Sequence, residues 1–168
     1  MEEHARDAKT GLLYHGYDES LQQGWADPQM GTSPSFWGCA VGWFFMALVD
    51  ILDFSLKTRH AQRDDLVSIL QLLAVAVAKV QDLATCVWWE VLDIQGRRQG
   101  NYLESSASCM LVYSLAKGVK RGYLSKRTYK DVYTRGFQGI QTQFVHACSD
   151  GGVDLISTVS VGGMCGSP

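Results

Sequence analysis

The stretch FWGCAVGW, residues 36–43, sets a small thiol beside an indole: on a helix, Cys39 and Trp43 lie one turn apart on the same face. A thiol attacks as the thiolate, and no histidine or basic residue lies within a turn of Cys39 to favour that form. Asp50 and Asp53, spaced i, i+3, share a helix face and would suit paired-carboxylate acid–base work, although a polar exit from the helix end explains them equally. His146 and Cys148 have the wrong spacing and too few partners for a metal, and a histidine beside a negative helix end accounts for His146. The ending VGGMCGSP has no following helix to receive a phosphate. His4 and His60 read as solvated, and GxSxG, P-loop and HExxH motifs are absent.

Aromatic residues in two polar segments are more informative. Residues 11–37 hold Tyr14, His15, Tyr17, Trp25, Phe36 and Trp37 among aspartates, glycines and prolines. Residues 86–104, CVWWEVLDIQGRRQGNYLE, hold adjacent tryptophans and Tyr102. Aromatic faces cover the apolar face of a pyranose while neighbouring polar groups take its hydroxyls, so these loops suit a sugar cleft. The same residues would equally serve to pin long loops onto helices.

The elements that must position these groups are helices. The 168 residues have the length of one domain; 46% are apolar and 19% charged, the balance of a folded globular chain. A net charge of −2 with no basic stripe disfavours nucleic acid. Five scattered cysteines without a CxxC indicate neither a zinc site nor a redox pair, and fit reduced thiols inside a cell. The apolar runs 36–49 and 66–78 are too short to span a membrane. Four helices are expected. The first is capped by Thr32-Ser33, with Pro34 at its first position, and runs to Phe54; being apolar nearly all round, it must be enclosed by others. The second opens at Asp64-Asp65, and the third runs from near Glu104 to Gly118–Gly122. The fourth follows Ser125 with Tyr129, Tyr133, Phe137, Ile140 and Phe144 on one stripe, weakened by Gly136 and Gly139. Short extended pieces are expected at GLLYHGY and VDLISTVSV. The fold class is all-α, in two layers of inner and outer helices.

GLLYHGYDES, GTSPSFWG-x-AVGW, GNYLESSAS and LAKGVKRGYL, in that order, resemble the unsaturated rhamnogalacturonyl hydrolases of glycoside hydrolase family 105, relatives of the unsaturated glucuronyl hydrolases of family 88. The resemblance covers nearly all of residues 1–168, as a single partial domain matching about the second half of the family's. It implies an incomplete (α/α)6 toroid of helical hairpins. It also implies action on C4=C5 unsaturated uronyl oligosaccharides left by a pectin lyase, by hydration of the enol ether: one general acid protonates C4, water adds at C5, and the sugar is released. No metal or organic cofactor is implied.

Carried over by position, His15 matches a substrate-contacting histidine and Trp43 a tryptophan of the same pocket. Cys39 falls where the family usually has an arginine that can hold the uronate carboxylate, so it reads as a lost clamp rather than a gained nucleophile. The family's general acid lies upstream of the matching stretch, which leaves the catalytic residue unassigned and the chain expected to be inactive alone. Glu90 stands where the family tends to have glutamine and reads as a tolerated surface or supporting change rather than a replacement acid. A non-catalytic sugar-binding remnant and a helical interaction module are the alternatives. With partner helices missing, self-association through an exposed inner helix is expected. A charged N-terminus without an apolar core suggests a cytoplasmic protein, although a truncated start would hide a leader.

Overall fold

The computed structural model describes residues 2–54, 60–94, 96 and 100–160. The elements are α1 (Glu2–Ala5), α2 (Gly38–Phe54), α3 (His60–Lys79), α4 (Ser105–Lys120), α5 (Lys126–Phe144), β1 (Val145–Ala147) and β2 (Val153–Leu155). Helix α2 packs on both α3 and α4, and α4 packs on α5. The fold is all-α, as expected, and its core joins Phe45, Leu48, Val49 and Leu52 of α2 to Leu70, Leu73 and Val77 of α3. Leu111 and Leu115 of α4 and Ile140 and Phe144 of α5 complete it.

Helices α4 and α5 begin where the sequence places them. Glu104 caps α4, its side chain accepting from the Ala107 amide, and Ser125 occupies the N-cap of α5. Helix α2 starts four residues later than Pro34. Thr32 pairs with Tyr17 and Trp37 with Val91 in isolated bridges, and the Ser33 amide donates to the Gly16 carbonyl at 3.0 Å. These long-range bonds hold the Thr32–Trp37 segment extended, so the local cap signal loses. Helix α3 starts at His60, ahead of the Asp64-Asp65 pair; the His60 side chain and residues 161–168, with the VGGMCGSP ending, lie outside the described residues.

Helix α2 is not enclosed on all sides, and an apolar face of it is exposed, as expected with partner helices missing. Trp43 is 63% exposed, Ile51 52% and Phe54 86%, and with the exposed Ala47 they form one stripe facing away from α4. Leu72 and Val75 of α3 are exposed as well. Asp50 and Asp53 are explained by ion pairs: Lys117 Nζ lies 2.7 Å from Asp50 and 2.9 Å from Asp53, and Arg121 Nε lies 2.9 Å from Asp53. The Lys117 hydrogen bond holds the Asp53 carboxyl below its usual range. Of the two expected extended pieces, GLLYHGY makes only bridges, while Val153–Leu155 pairs antiparallel with Val145–Ala147 directly after α5.

The α5 stripe is also corrected. Tyr129, Ile140 and Phe144 are buried but Phe137 is 55% exposed, because the two glycines occupy the contact instead. A Cβ at Gly139 would lie 2.4 Å from the Thr85 carbonyl oxygen, and one at Gly136 would lie 2.7 Å from Val112 Cγ2. The glycines therefore allow α5 to approach the 85–88 segment and α4 closely, rather than merely weakening the helix. Gly139→Ala is expected to destabilise the chain by about 1–3 kcal/mol despite alanine's higher helix propensity, since a backbone carbonyl cannot step aside as a side-chain tip can. Urea denaturation would show a lower midpoint at unchanged slope.

Candidate functional site

The first turn of α2 serves two neighbouring sites. On one side, His15 stacks on Trp37, ring centroids 4.6 Å apart. Its Nδ1 lies 3.0 Å from the Ser35 carbonyl oxygen and 3.1 Å from Ser33 Oγ, so the extended segment before α2 fixes the ring. His15 and Trp43 line one open cleft of about 410 Å³, floored by Leu13, Tyr14, Ala40 and Phe44. A tryptophan face and a held imidazole around such a space are suited to a sugar ring.

Apart from Tyr14, the other loop aromatics do not line it. Trp88 is fully buried and donates from Nε1 to the Val77 carbonyl at 2.9 Å; buried Trp89 donates to Asp82 at 3.3 Å. Tyr14 packs on Phe36, ring centroids 4.4 Å apart. The 86–89 aromatics therefore pin a loop, while Tyr14, His15 and Trp43 line the cleft.

On the other side, Cys39 turns toward α4. Its thiol donates to Glu104 Oε2 at 3.5 Å and lies 3.4 Å from Ser106 Oγ. Glu104 is fully buried, and its carboxylate also accepts from Ser106 Oγ at 2.9 Å, from the Ala107 amide and from the Val159 amide at 2.9 Å. Two helix N-termini thus converge on this carboxylate, the placement that a negative charge favours. The third member is Glu90, whose backbone is fixed by bonds from the Gly38 amide to its carbonyl, at 2.6 Å, and from its own amide to the Tyr102 carbonyl, at 2.9 Å.

Burial pushes the Glu90 carboxyl up to about 7, with the Glu104 charge adding to it. Burial, then the charges of Glu90 and Glu104, push the Cys39 thiol up to about 12 against the opposing Ser106 bond. Cys39 is therefore a protonated thiol at neutral pH and no nucleophile. Burial and the same two carboxylates raise Tyr102 to about 12.

Glu90 is only 8% exposed, so the surface reading of that position is set aside. Its raised pKa has a direct consequence for stability. The ordinary carboxyl value is 4.5 and the folded value about 7, so the native state holds the extra proton between them. Stability present below pH 4.5 is then lost as pH rises through 7. In chelator-treated buffer, Glu90→Gln is expected to flatten the fall in Tm between pH 5 and 8, and to raise stability at pH 8 by about 1–2 kcal/mol. Parallel pH profiles for the two proteins would contradict the assignment.

Sequence reasoning named His15, Trp43 and Cys39, and the structure brings the first two onto one cleft while directing Cys39 into the cluster. It treated Glu104 only as a helix start and passed over Ser106. The signal was there: an acidic N-cap followed by three serines and one alanine in GNYLESSAS predicts a carboxylate held by α4 amides, but not the helix it meets.

Residues 1–167 match the model of Glycosyl Hydrolase Family 88. The chain belongs to that family. A family 105 glycoside hydrolase from C. acetobutylicum superposes with a TM-score of 0.91 at 44% identity, over 98% of this chain and 45% of the other. A possible family 105 member from Salmonella enterica gives 0.78 at 27% identity, over 97% and 39%. The picA-locus protein of Rhizobium radiobacter is 40% identical over 134 residues, which are 77% of this chain and 54% of that protein. This family 88 chain thus spans about half the length of the relatives it matches. Its helical hairpins are those of the (α/α)6 toroid, a fold shared with the unsaturated glucuronyl hydrolase of Bacillus sp. GL1 at a TM-score of 0.60 and 15% identity.

Proposed function

We propose that this chain supplies the uronyl-binding part of a family 88 hydrolase acting on C4=C5 unsaturated uronyl oligosaccharides of the kind left by pectin lyases. The observation that carries the reading is the shared cleft of His15 and Trp43, the two positions that match the family's substrate-contacting residues. In this mechanism Trp43 covers the unsaturated ring, and His15, held by Ser33 and Ser35, hydrogen-bonds the uronate. Hydration of the enol ether then needs a general acid at C4, which the family resemblance places ahead of the GLLYHGYDES stretch.

The test is a titration of the 168-residue chain with an unsaturated uronyl disaccharide, followed by tryptophan fluorescence and by the ultraviolet absorbance of the conjugated double bond. Saturable binding in the micromolar-to-millimolar range, weakened about tenfold in Trp43→Ala, is expected without loss of absorbance. Absence of binding by folded chain would remove the sugar reading.

A second reading rests on the exposed stripe of Trp43, Ala47, Ile51 and Phe54 along α2. Contiguous apolar surface of that kind favours association, here through α2 itself. Light scattering is expected to show a concentration-dependent dimer that Phe54→Glu returns to monomer. A monomer at all concentrations would exclude it.

A further inference from the structure

We propose that Cys39, Glu90 and Glu104 form a binding site for a divalent transition-metal ion of the zinc class, separate from the sugar cleft and independent of whether the chain binds sugars. One ligand atom from each residue lies within 4.8 Å of the other two. The residues come from three places in the chain, the start of α2, the 86–94 loop and the N-cap of α4, so the fold itself assembles the set.

The decisive atom is Glu90 Oε2. It is buried and, among the described residues, has no hydrogen-bond partner, on a residue 8% exposed and set against two other potential ligands. A buried carboxylate oxygen without a donor costs stability, and a cation is the partner that satisfies it together with the adjacent charge. Among the described residues, neither Glu90 nor Glu104 forms an ion pair with a lysine, arginine or histidine.

Geometry and ligand type agree on the ion. Cys39 Sγ and Glu104 Oε2 are 3.5 Å apart. Tetrahedral zinc, with Zn–S of about 2.3 Å and Zn–O of about 2.0 Å, separates such a pair by about 3.5 Å. Ser106 Oγ, 3.4 Å from the sulfur, borders the fourth position, which it or a water would fill. A thiolate with two carboxylates selects zinc or cobalt over magnesium and calcium, which take oxygen alone. On binding, the thiol gives its proton to solvent and the sulfur lone pair goes to the metal; the dication opposes the burial and the negative charge that hold the thiol protonated. Both glutamates are buried while Cys39 is only half-buried, so the ion enters past the sulfur.

The experiment titrates the metal-free 168-residue chain with Co²⁺, reading the near-ultraviolet thiolate-to-cobalt absorption and the visible bands of four-coordinate cobalt, then adds Zn²⁺. One equivalent is expected to saturate both signals and zinc to erase them. Cys39→Ser is expected to abolish the charge-transfer band, and Glu90→Gln to weaken cobalt binding about tenfold or more, each checked for native circular dichroism. On the unmutated chain, zinc is expected to slow alkylation of Cys39 about tenfold while leaving Cys86 unchanged, which needs no variant to fold. A charge-transfer band that persists in Cys39→Ser, no band in folded wild type, or equal alkylation of Cys39 with and without zinc would each overturn the site.

Discussion

Glu104→Ala is expected to lower the stability of this family 88 chain by about 3 kcal/mol, measured as a shift in denaturant midpoint at constant slope. The carboxylate is fully buried and gathers bonds from three parts of the molecule: the first turn of α4, the Cys39 thiol of α2 and the Val159 amide of the C-terminal segment. Hydrogen bonds to a charged group contribute roughly 1.5–3 kcal/mol each, and loss of an N-cap costs about 1 kcal/mol. These contributions overlap, and relief of the repulsion that raises Glu90 offsets part of the loss, which sets the net figure. Alanine also leaves the Val159 amide without its acceptor, so exchange of that amide is expected to quicken more than exchange within α5. Ser106→Ala, which removes one donor among several, is expected to cost less than half as much. A loss below about 0.5 kcal/mol in Glu104→Ala would mean that this carboxylate is not what joins the helix starts.

Cys39→Arg is expected to strengthen binding of an unsaturated uronyl disaccharide by about 10–100-fold, read by calorimetry on the same chain. An arginine here would rise from the first turn of α2, one turn before Trp43, beside the cleft that Trp43 shares with His15. Its planar fork pairs with a carboxylate in a way that a protonated thiol does not imitate. The cluster should accept the charge: Glu90 and Glu104 already stand next to Cys39 without an ion-pair partner among the described residues. The same substitution is therefore expected to return the Glu90 carboxyl toward its ordinary value, so the wild type's fall in stability between pH 5 and 8 should flatten as it does in Glu90→Gln. Cys39→Lys serves as the comparison, since it restores charge without the fork. Equal gains from lysine and arginine would point to charge alone. No gain from either would remove position 39 from the sugar site and leave it to the buried cluster.

The sequence by itself determined the class of the fold and most of its helix ends. Periodicity and capping placed α4 after Glu104 and α5 after Ser125, because those signals act within a turn and no distant partner opposes them. Motif order was enough to reach the family, and the resemblance pointed to positions 15 and 43, which the structure sets on one cleft, and to position 39, whose thiol it sets against Glu104. Tertiary structure decided everything that depends on which elements meet. The start of α2 moved because Thr32 and Trp37 bond to distant strands of loop, and the two α5 glycines became contact points because Thr85 and Val112 press on them. The exposure of Trp43, Ile51 and Phe54 follows from the absence of any packed neighbour on that side of α2 among the described residues. Glu90 and Glu104 are fourteen residues apart in the chain and fifty or more from Cys39, so no local pattern announces that they converge. Local rules fix where a helix begins; only packing fixes which side chains are then left to neutralise one another.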